Sequence, residues 1–380
     1  MNSRSWTGLV ALSLLLVALS PARAETGVTP TTILIGQSVS LSGPTGSLGQ
    51  EMQAGAVAYF NHVNKQGGVN GRAIVLKTLD DAYEVDKTVA NVKALIENDG
   101  VFALFGLRGT AHTNAAAKIF IPAQVPLFAT FSGAQSLREP FNRYIFHVRA
   151  SYADETDATF KQLSELKLNR IGVFYQNDGY GKEGKAAAEE AVKKYELTIS
   201  ALGSVEPNSS DVVSAVAAIA RIQPQAVVMY ASYKASAEFV RGMRKAQLYP
   251  QYMNLSIVGA TALAKELGND ARGIGVSQVV PYPWNIGIPI VKEYQRVMKE
   301  QTGKSDYSFL TLESYLAARI LVDGLRRAGP DLTREKLIAA LETMHDASFG
   351  GFRVDYSRTN HAASRFVELT VIGRDGAILR

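Results

Sequence analysis

The 380-residue sequence contains no cysteine. That single absence removes a disulfide framework, a thiol nucleophile, a Cys-based zinc site and a lipid-modified N-terminal cysteine together. Histidine is scarce: five residues, His62, His112, His147, His345 and His361, with no two at metal-ligand spacing, so no metal site is expected. The motifs H-E-x-x-H and G-x-S-x-G do not occur. No nucleophile–base set can be assembled from what remains, so no catalytic residue, enzymatic activity or cofactor is expected. Excess charge is also small. Forty Lys and Arg stand against 35 Asp and Glu, a formal net charge of +5, spread without a basic stripe, which gives no reason to expect a nucleic acid or an anionic membrane as partner.

Long hydrophobic runs are nearly absent too. The one candidate, Leu9 to Leu19, is too short to span a bilayer. Arg4 precedes it, and Pro21 and Ala22-Arg23-Ala24 follow, the order of a secretory signal peptide cut after Ala24. Residues 1–24 are therefore expected to be removed on export, taking Arg4 and Arg23 with them and lowering the net charge to +3. The product should be a freely soluble periplasmic monomer. Its length exceeds what one core usually organises, so two lobes are expected.

What is present is an alternation of β-branched runs with helix-period segments. Ile33 to Ser40 reads as a strand closed by the turn-rich Leu41-Ser42-Gly43-Pro44-Thr45-Gly46, and Met52, Ala56, Phe60 and Val63 mark a helix from about Gln50. Ile74 to Leu79, a helix through Val85, Val89, Val92 and Ile96, and the uninterrupted apolar strand Val101 to Phe105 complete a βαβαβ unit, buried on both faces. The same order of elements restarts after Val148, with a helix over Thr156 to Leu166, the strand Ile171 to Tyr175, a helix from Glu183 to Tyr195, the strand Thr198 to Val205, a helix over Val212 to Arg221, the strand Ala226 to Tyr230 and a helix around Ala237 to Ala246. Further helices lie around Ile290 to Met298, Leu312 to Leu325 and Arg334 to Leu341, before final strands near Phe352 and Phe366 to Ile372. The fold class is α/β, two doubly wound parallel-sheet lobes.

Two patterns imitate chemistry. Gly179-Tyr180-Gly181-Lys182-Glu183-Gly184-Lys185 satisfies the start of a phosphate-binding loop, but Ala186 has no hydroxyl for Mg²⁺ and Glu183 would oppose the phosphates. The pair Asp80-Asp81 at a strand end, with Tyr83 close by, reads as a turn and capping device rather than acid–base machinery. His112, beside Thr110, either reaches a ligand or simply starts a helix.

In open α/β sheets ligands sit at loops beyond the carboxyl ends of strands. Here those loops are Ser42 to Gly46, Arg108 to Thr110 and Phe131 to Gly133 in the first unit, and Asn177 to Gly181 and Ala231 to Tyr233 in the second. Facing lobes would enclose a small polar pocket with aromatic walls.

The order Leu41-Ser42-Gly43-Pro44, Gly55-Ala56, Asn64-Lys65-Gln66-Gly67-Gly68-Val69-Asn70-Gly71 and Asp80-Asp81 resembles the periplasmic substrate-binding proteins of branched-chain amino acid ABC transporters, the Leu/Ile/Val-binding family. The likeness continues through Phe105-Gly106, Val125-Pro126-Leu127-Phe128, Tyr175 to Gly181 and Tyr230 to Tyr233. It implies a type I periplasmic-binding fold with three hinge crossings, divided here into lobe 1 (25–148 plus 280–350) and lobe 2 (149–279 plus 351–380). It implies capture of a small carboxylate-bearing solute and delivery to an inner-membrane ABC permease, or else a ligand-sensing subunit of a signalling system with the same fold. The solute would be a branched-chain or related amino acid, or an aromatic or aliphatic acid. The resemblance places Ser42, Arg108, Gly109, Thr110, Phe131, Ser132, Gly133, Tyr180, Tyr233 and Ser256 at the ligand, with Thr110 on the hydroxyl position of the carboxylate loop. One departure stands out: Ser256, Ile257 and Val258 occupy the loop where amino-acid binders commonly place a carboxylate for the ammonium. Meanwhile Arg108 adds a cation suited to an acid.

Overall fold

The computed structural model describes residues 25–380; the signal-peptide assignment falls outside them. Two parallel sheets organise the chain. The first is built from β1 (Thr32–Val39), β2 (Ala73–Asp80), β3 (Ala103–Phe105), β4 (Leu127–Phe128) and β5 (Ile145–Phe146), in the order β2-β1-β3-β4-β5. Its helices are α1 (Gly46–Lys65), α2 (Val85–Glu97) and α3 (Thr110–Phe120). The apolar run seen in the sequence explains β3: Val101 to Phe105 are all fully buried. Aromatic rings continue that burial across the sheet, Phe105 to Phe128 to Phe146, and end on His361, whose ring stacks on Phe146 at 3.7 Å.

After β5 the chain crosses to the second lobe, where α4 (Tyr152–Glu165) starts under a capping box between Ser151 and Asp154. There follow β6 (Arg170–Gln176), α5 (Gly179–Lys194), β7 (Thr198–Val205), α6 (Val213–Ala220), β8 (Ala226–Tyr230), α7 (Tyr233–Lys245), β9 (Gln251–Asn254), α8 (Ala260–Leu267) and β10 (Gly275–Gln278). The chain then returns to the first lobe as α9 (Pro289–Thr302), α10 (Phe309–Ala328), α11 (Arg334–Glu342) and the hairpin β11 (Ala347–Phe349) and β12 (Phe352–Val354). A third crossing brings β13 (Glu368–Ile372) and β14 (Ile378–Leu379) antiparallel onto β10, giving the second sheet the order β14-β13-β10-β9-β8-β6-β7.

The expected division assigned 351–380 to the second lobe. In the structure the part up to Ala363 lies against the first sheet instead: His147 and Ala362 form a parallel bridge, and the Tyr356 hydroxyl donates to the His147 carbonyl at 3.0 Å. The aromatic and His361 contacts on Phe146 hold this stretch there, a preference no local periodicity encodes. Only the residues from Glu368 onward join the second sheet.

The helices α1 and α10 pack closely because small residues meet at their crossing. A Cβ on Gly55 would stand 2.1 Å from the Thr311 carbonyl oxygen, and the Ser314 hydroxyl donates to the Met52 carbonyl. Gly55→Ala should therefore force the two helices apart and lower unfolding stability by about 1–3 kcal/mol in a denaturant titration. A loss indistinguishable from zero would mean that the crossing can relax.

Candidate functional site

Strand order reverses once within each parallel array. In the first sheet β1 hands on to β2 on one side and is flanked by β3 on the other; in the second, β6 stands likewise between β7 and β8. Loops leaving such a switch point separate and open a crevice. The two switch points face each other here, so the loops after β1 and β3 oppose those after β6 and β8.

Arg108, in the loop after β3, ties its own switch point together. Its Nη1 donates to the Ser40 and Thr45 hydroxyls, each at 3.2 Å, and its guanidinium lies 4.5 Å from the centre of the Tyr83 ring. It is 4% exposed, forms no ion pair among the described residues, and its Nε has no hydrogen-bond partner. A buried cation without a carboxylate costs several kcal/mol unless something else compensates it. Gly109, next in sequence, has φ +95°, and a Cβ there would collide with His112 Nδ1 at 2.5 Å; glycine is what allows the loop to turn into α3.

Tyr83 reaches Arg108 through a strained turn. Ala82 (φ 49°) and Tyr83 (φ 60°) are both left-handed. Asp80 Oδ1 accepts from the Ala82 N–H and Asp81 Oδ1 from the Tyr83 N–H, each at 2.9 Å, so the acidic pair is the turn device that its position suggested. The other ring wall comes from Tyr152 and Tyr180, whose centroids are 5.2 Å apart. Burial raises both phenols above their ordinary value; for Tyr152 the Arg149 charge and the Ser132 and Thr110 hydroxyls offset part of this. The Tyr180 hydroxyl has no partner. Gln176, Ala231, Ser232 and Ile257 complete a narrow space that is nearly closed between the lobes, about 10 Å³.

The sequence-expected residues divide accordingly. Arg108, Gly109 and Tyr180 line this space. Thr110 and Ser132 adjoin it, hydroxyl to hydroxyl at 2.8 Å. Gly133 lies beneath Tyr152, whose N–H donates to its carbonyl. The rest are placed elsewhere. Phe131 is 1% exposed with its ring against Gly106, because the strand pairing of Arg108 with Phe131 turns that ring into the core. Ser42 is exposed, its hydroxyl bonded to Asp80. The Tyr233 hydroxyl donates to the Pro44 carbonyl across the lobes at 3.0 Å. Ser256 is bound up with Arg149 and Glu155. Sequence reasoning missed Tyr83, Tyr152 and Gln176 as wall residues. The double aspartate before Tyr83 was the one available signal.

Two decoys are also resolved. Glu183 accepts backbone N–H groups of Gln135 (3.0 Å) and Ser136 (3.2 Å) from the facing lobe, and Lys185 pairs with Glu189, so the glycine-rich segment serves lobe contact. His112 is buried and stacked on Tyr83 at 4.3 Å, with neither ring nitrogen bonded to a side chain. Burial lowers its pKa, Asp81 and Asp178 opposing and Arg108 adding to the effect.

Residues 32–377 match the family model described as periplasmic binding protein. Among solved structures, the chain is 32% identical to a possible leucine/isoleucine/valine-binding protein from Rhodopirellula baltica SH 1, with TM-score 0.88, covering 91% of this chain and 95% of that one. It is 33% identical to a substrate-binding periplasmic protein from Ralstonia solanacearum, with TM-score 0.86 and coverage of 91% and 99%. It is also 24% identical over 349 residues to Leu/Ile/Val-binding protein homolog 8 of Brucella abortus, covering 86% of this chain and 85% of that protein. Two switch points facing across a cleft, three crossings and these matches have one reading: the chain has the type I periplasmic-binding fold and belongs to the periplasmic binding protein family, among the relatives of the Leu/Ile/Val-binding proteins.

Proposed function

We infer that this protein, exported to the periplasm by its N-terminal segment, captures a small carboxylate-bearing solute between its lobes and delivers it to an inner-membrane ABC permease. Branched-chain or related amino acids and aromatic or aliphatic acids are the candidate solutes, and the role is binding, without catalysis. The observation that carries this reading is the buried, uncompensated guanidinium of Arg108 at the meeting of two opposed switch points. Closure is supported by contacts made only across the cleft: Tyr233 to Pro44, Asn208 to the Tyr83 carbonyl, and Glu183 to the backbone of Gln135 and Ser136. A ligand touching both walls favours the closed form, and a permease can read that form by lobe geometry.

The test is a thermal-shift screen of the ligand-stripped protein against amino acids and simple acids. Binding to the native state alone raises Tm, by an amount that grows with concentration over Kd. A carboxylate-bearing hit should also shrink the radius of gyration in solution scattering. Thr110→Ala should weaken that hit by about 1–3 kcal/mol in calorimetry while leaving the ligand-free Tm near its original value. A screen in which only carboxylate-free solutes shift Tm would overturn the reading.

A further inference from the structure

We propose that the solute is a monocarboxylic acid with an apolar body and no ammonium group. The proposal rests on the reading that the cleft binds a carboxylate, and it names the class.

The argument starts from the Arg108 fork. One edge is occupied by two neutral hydroxyls, Ser40 and Thr45, and one face by Tyr83. Nε has no protein partner, and no hydrogen bond from Nη2 to the described residues is found, so the Nε–Nη2 edge is left for an incoming group. That edge presents two parallel N–H donors at the spacing of a carboxylate. No carboxylate among the described residues pairs with this buried cation, which leaves that pairing to the ligand.

An ammonium at the ligand's other end would need an acceptor of opposite charge. Each carboxylate bearing on the cleft is already engaged. Asp178 Oδ1 accepts from the Gly181 N–H at 3.0 Å, and its Oδ2 from Gln176 at 2.5 Å and Tyr83 at 3.4 Å. Asp81 accepts from Ser38, Thr88 and the Tyr83 N–H. Glu155 accepts from the Ser256 N–H and Ser277 and pairs with Arg149. An aromatic cage is the remaining way to hold an ammonium. Two of the three rings are already taken, because Tyr83 faces the Arg108 guanidinium and Tyr152 has that of Arg149 at 5.9 Å from its centre. An ammonium beside those rings would meet like charge. An apolar body meets the tyrosine rings and Ile257 without that conflict.

Matched pairs that differ only in the ammonium isolate the claim: 3-phenylpropanoate with phenylalanine, and 4-methylpentanoate with leucine, by calorimetry on the ligand-stripped full chain. The acid should bind at least 100-fold more tightly than its amino acid in one pair or both. If an amino acid binds as tightly as its acid or more so, the class is overturned while carboxylate capture stands. If none of the four binds at millimolar concentration, the class is overturned, and if no carboxylate shifts Tm in the wider screen either, the functional reading falls with it. The second arm is the Arg108→Met variant. It should lose acid binding at least 100-fold and yet, without ligand, melt no lower than the original protein, since it removes an unpaired buried charge; Arg108→Lys should fall between. Acid affinity unchanged in Arg108→Met would overturn the assignment.

Discussion

Replacing Arg149 with leucine should lower unfolding stability by about 3–5 kcal/mol, the cost of removing one partner from a buried ionic group. Arg149 lies in the first crossing and is 1% exposed. Its Nη2 donates to Glu155 Oε1 on α4 at 3.2 Å and to the Ser256 hydroxyl, while Nη1 stands 3.6 Å from Glu313 Oε1 on α10. One guanidinium thus answers two buried carboxylates from the two lobes. Without it, Glu155 keeps the Ser256 N–H and Ser277 as donors, but Glu313 keeps none among the described residues. Burial already pushes the Glu313 carboxyl above its ordinary range, with Arg149 holding it down. Glu313→Gln should therefore be much milder, because Arg149 retains Glu155. Denaturant unfolding of both variants checks the order; an Arg149→Leu loss no larger than that of Glu313→Gln would show that the lobes relax enough to admit water to the carboxylates.

The alternation of strands and helices was legible because parallel strands buried on both faces leave uninterrupted apolar runs, as in Val101 to Phe105 and Ala226 to Tyr230. Helix starts at the lobe interface were not, although α2 and α11 begin at Val85 and Arg334 as expected. Periodicity placed the starts of α1, α4, α5 and α7 near Gln50, Thr156, Glu183 and Ala237, whereas the helices begin at Gly46, Tyr152, Gly179 and Tyr233. Each of those first turns carries residues chosen for the facing lobe or the cleft, among them Tyr152, Tyr180 and Tyr233, so the apolar stripe begins only a turn later. The same cause explains the site. Arg108, Gly109 and Tyr180 follow from their loops, but which way Phe131 turns depends on a strand pairing with Arg108, and the Tyr83 ring reaches the cleft only through two consecutive left-handed residues. Neither is a property of local sequence.

Acidification should destabilise the protein between about pH 6.5 and pH 4. His361 is stacked on Phe146 and buried by it; desolvation lowers its pKa from 6.5 to about 4, partly offset by a backbone hydrogen bond at Ile145. Burial also lowers His147, well below its ordinary value, and His112. All three are neutral in the fold and free to protonate when unfolded. The unfolded chain therefore binds more protons than the native one below pH 6.5, so stability is full above that pH and is lost as the pH falls through the folded values. His361 alone should account for a loss on the order of 2 kcal/mol after allowing for partial solvent access. Glu51 and Glu313 work against this, since burial raises both carboxyls and each gains a proton more readily in the fold than outside it. Three histidines against two carboxyls leave the net sign as loss. Urea unfolding at pH 7.5 and pH 4.5, on the original protein and on His361→Phe, reads it directly. The variant keeps a ring on Phe146 but cannot titrate, so its acid loss should be smaller; an identical loss in both would place the titrating groups at His147 and His112.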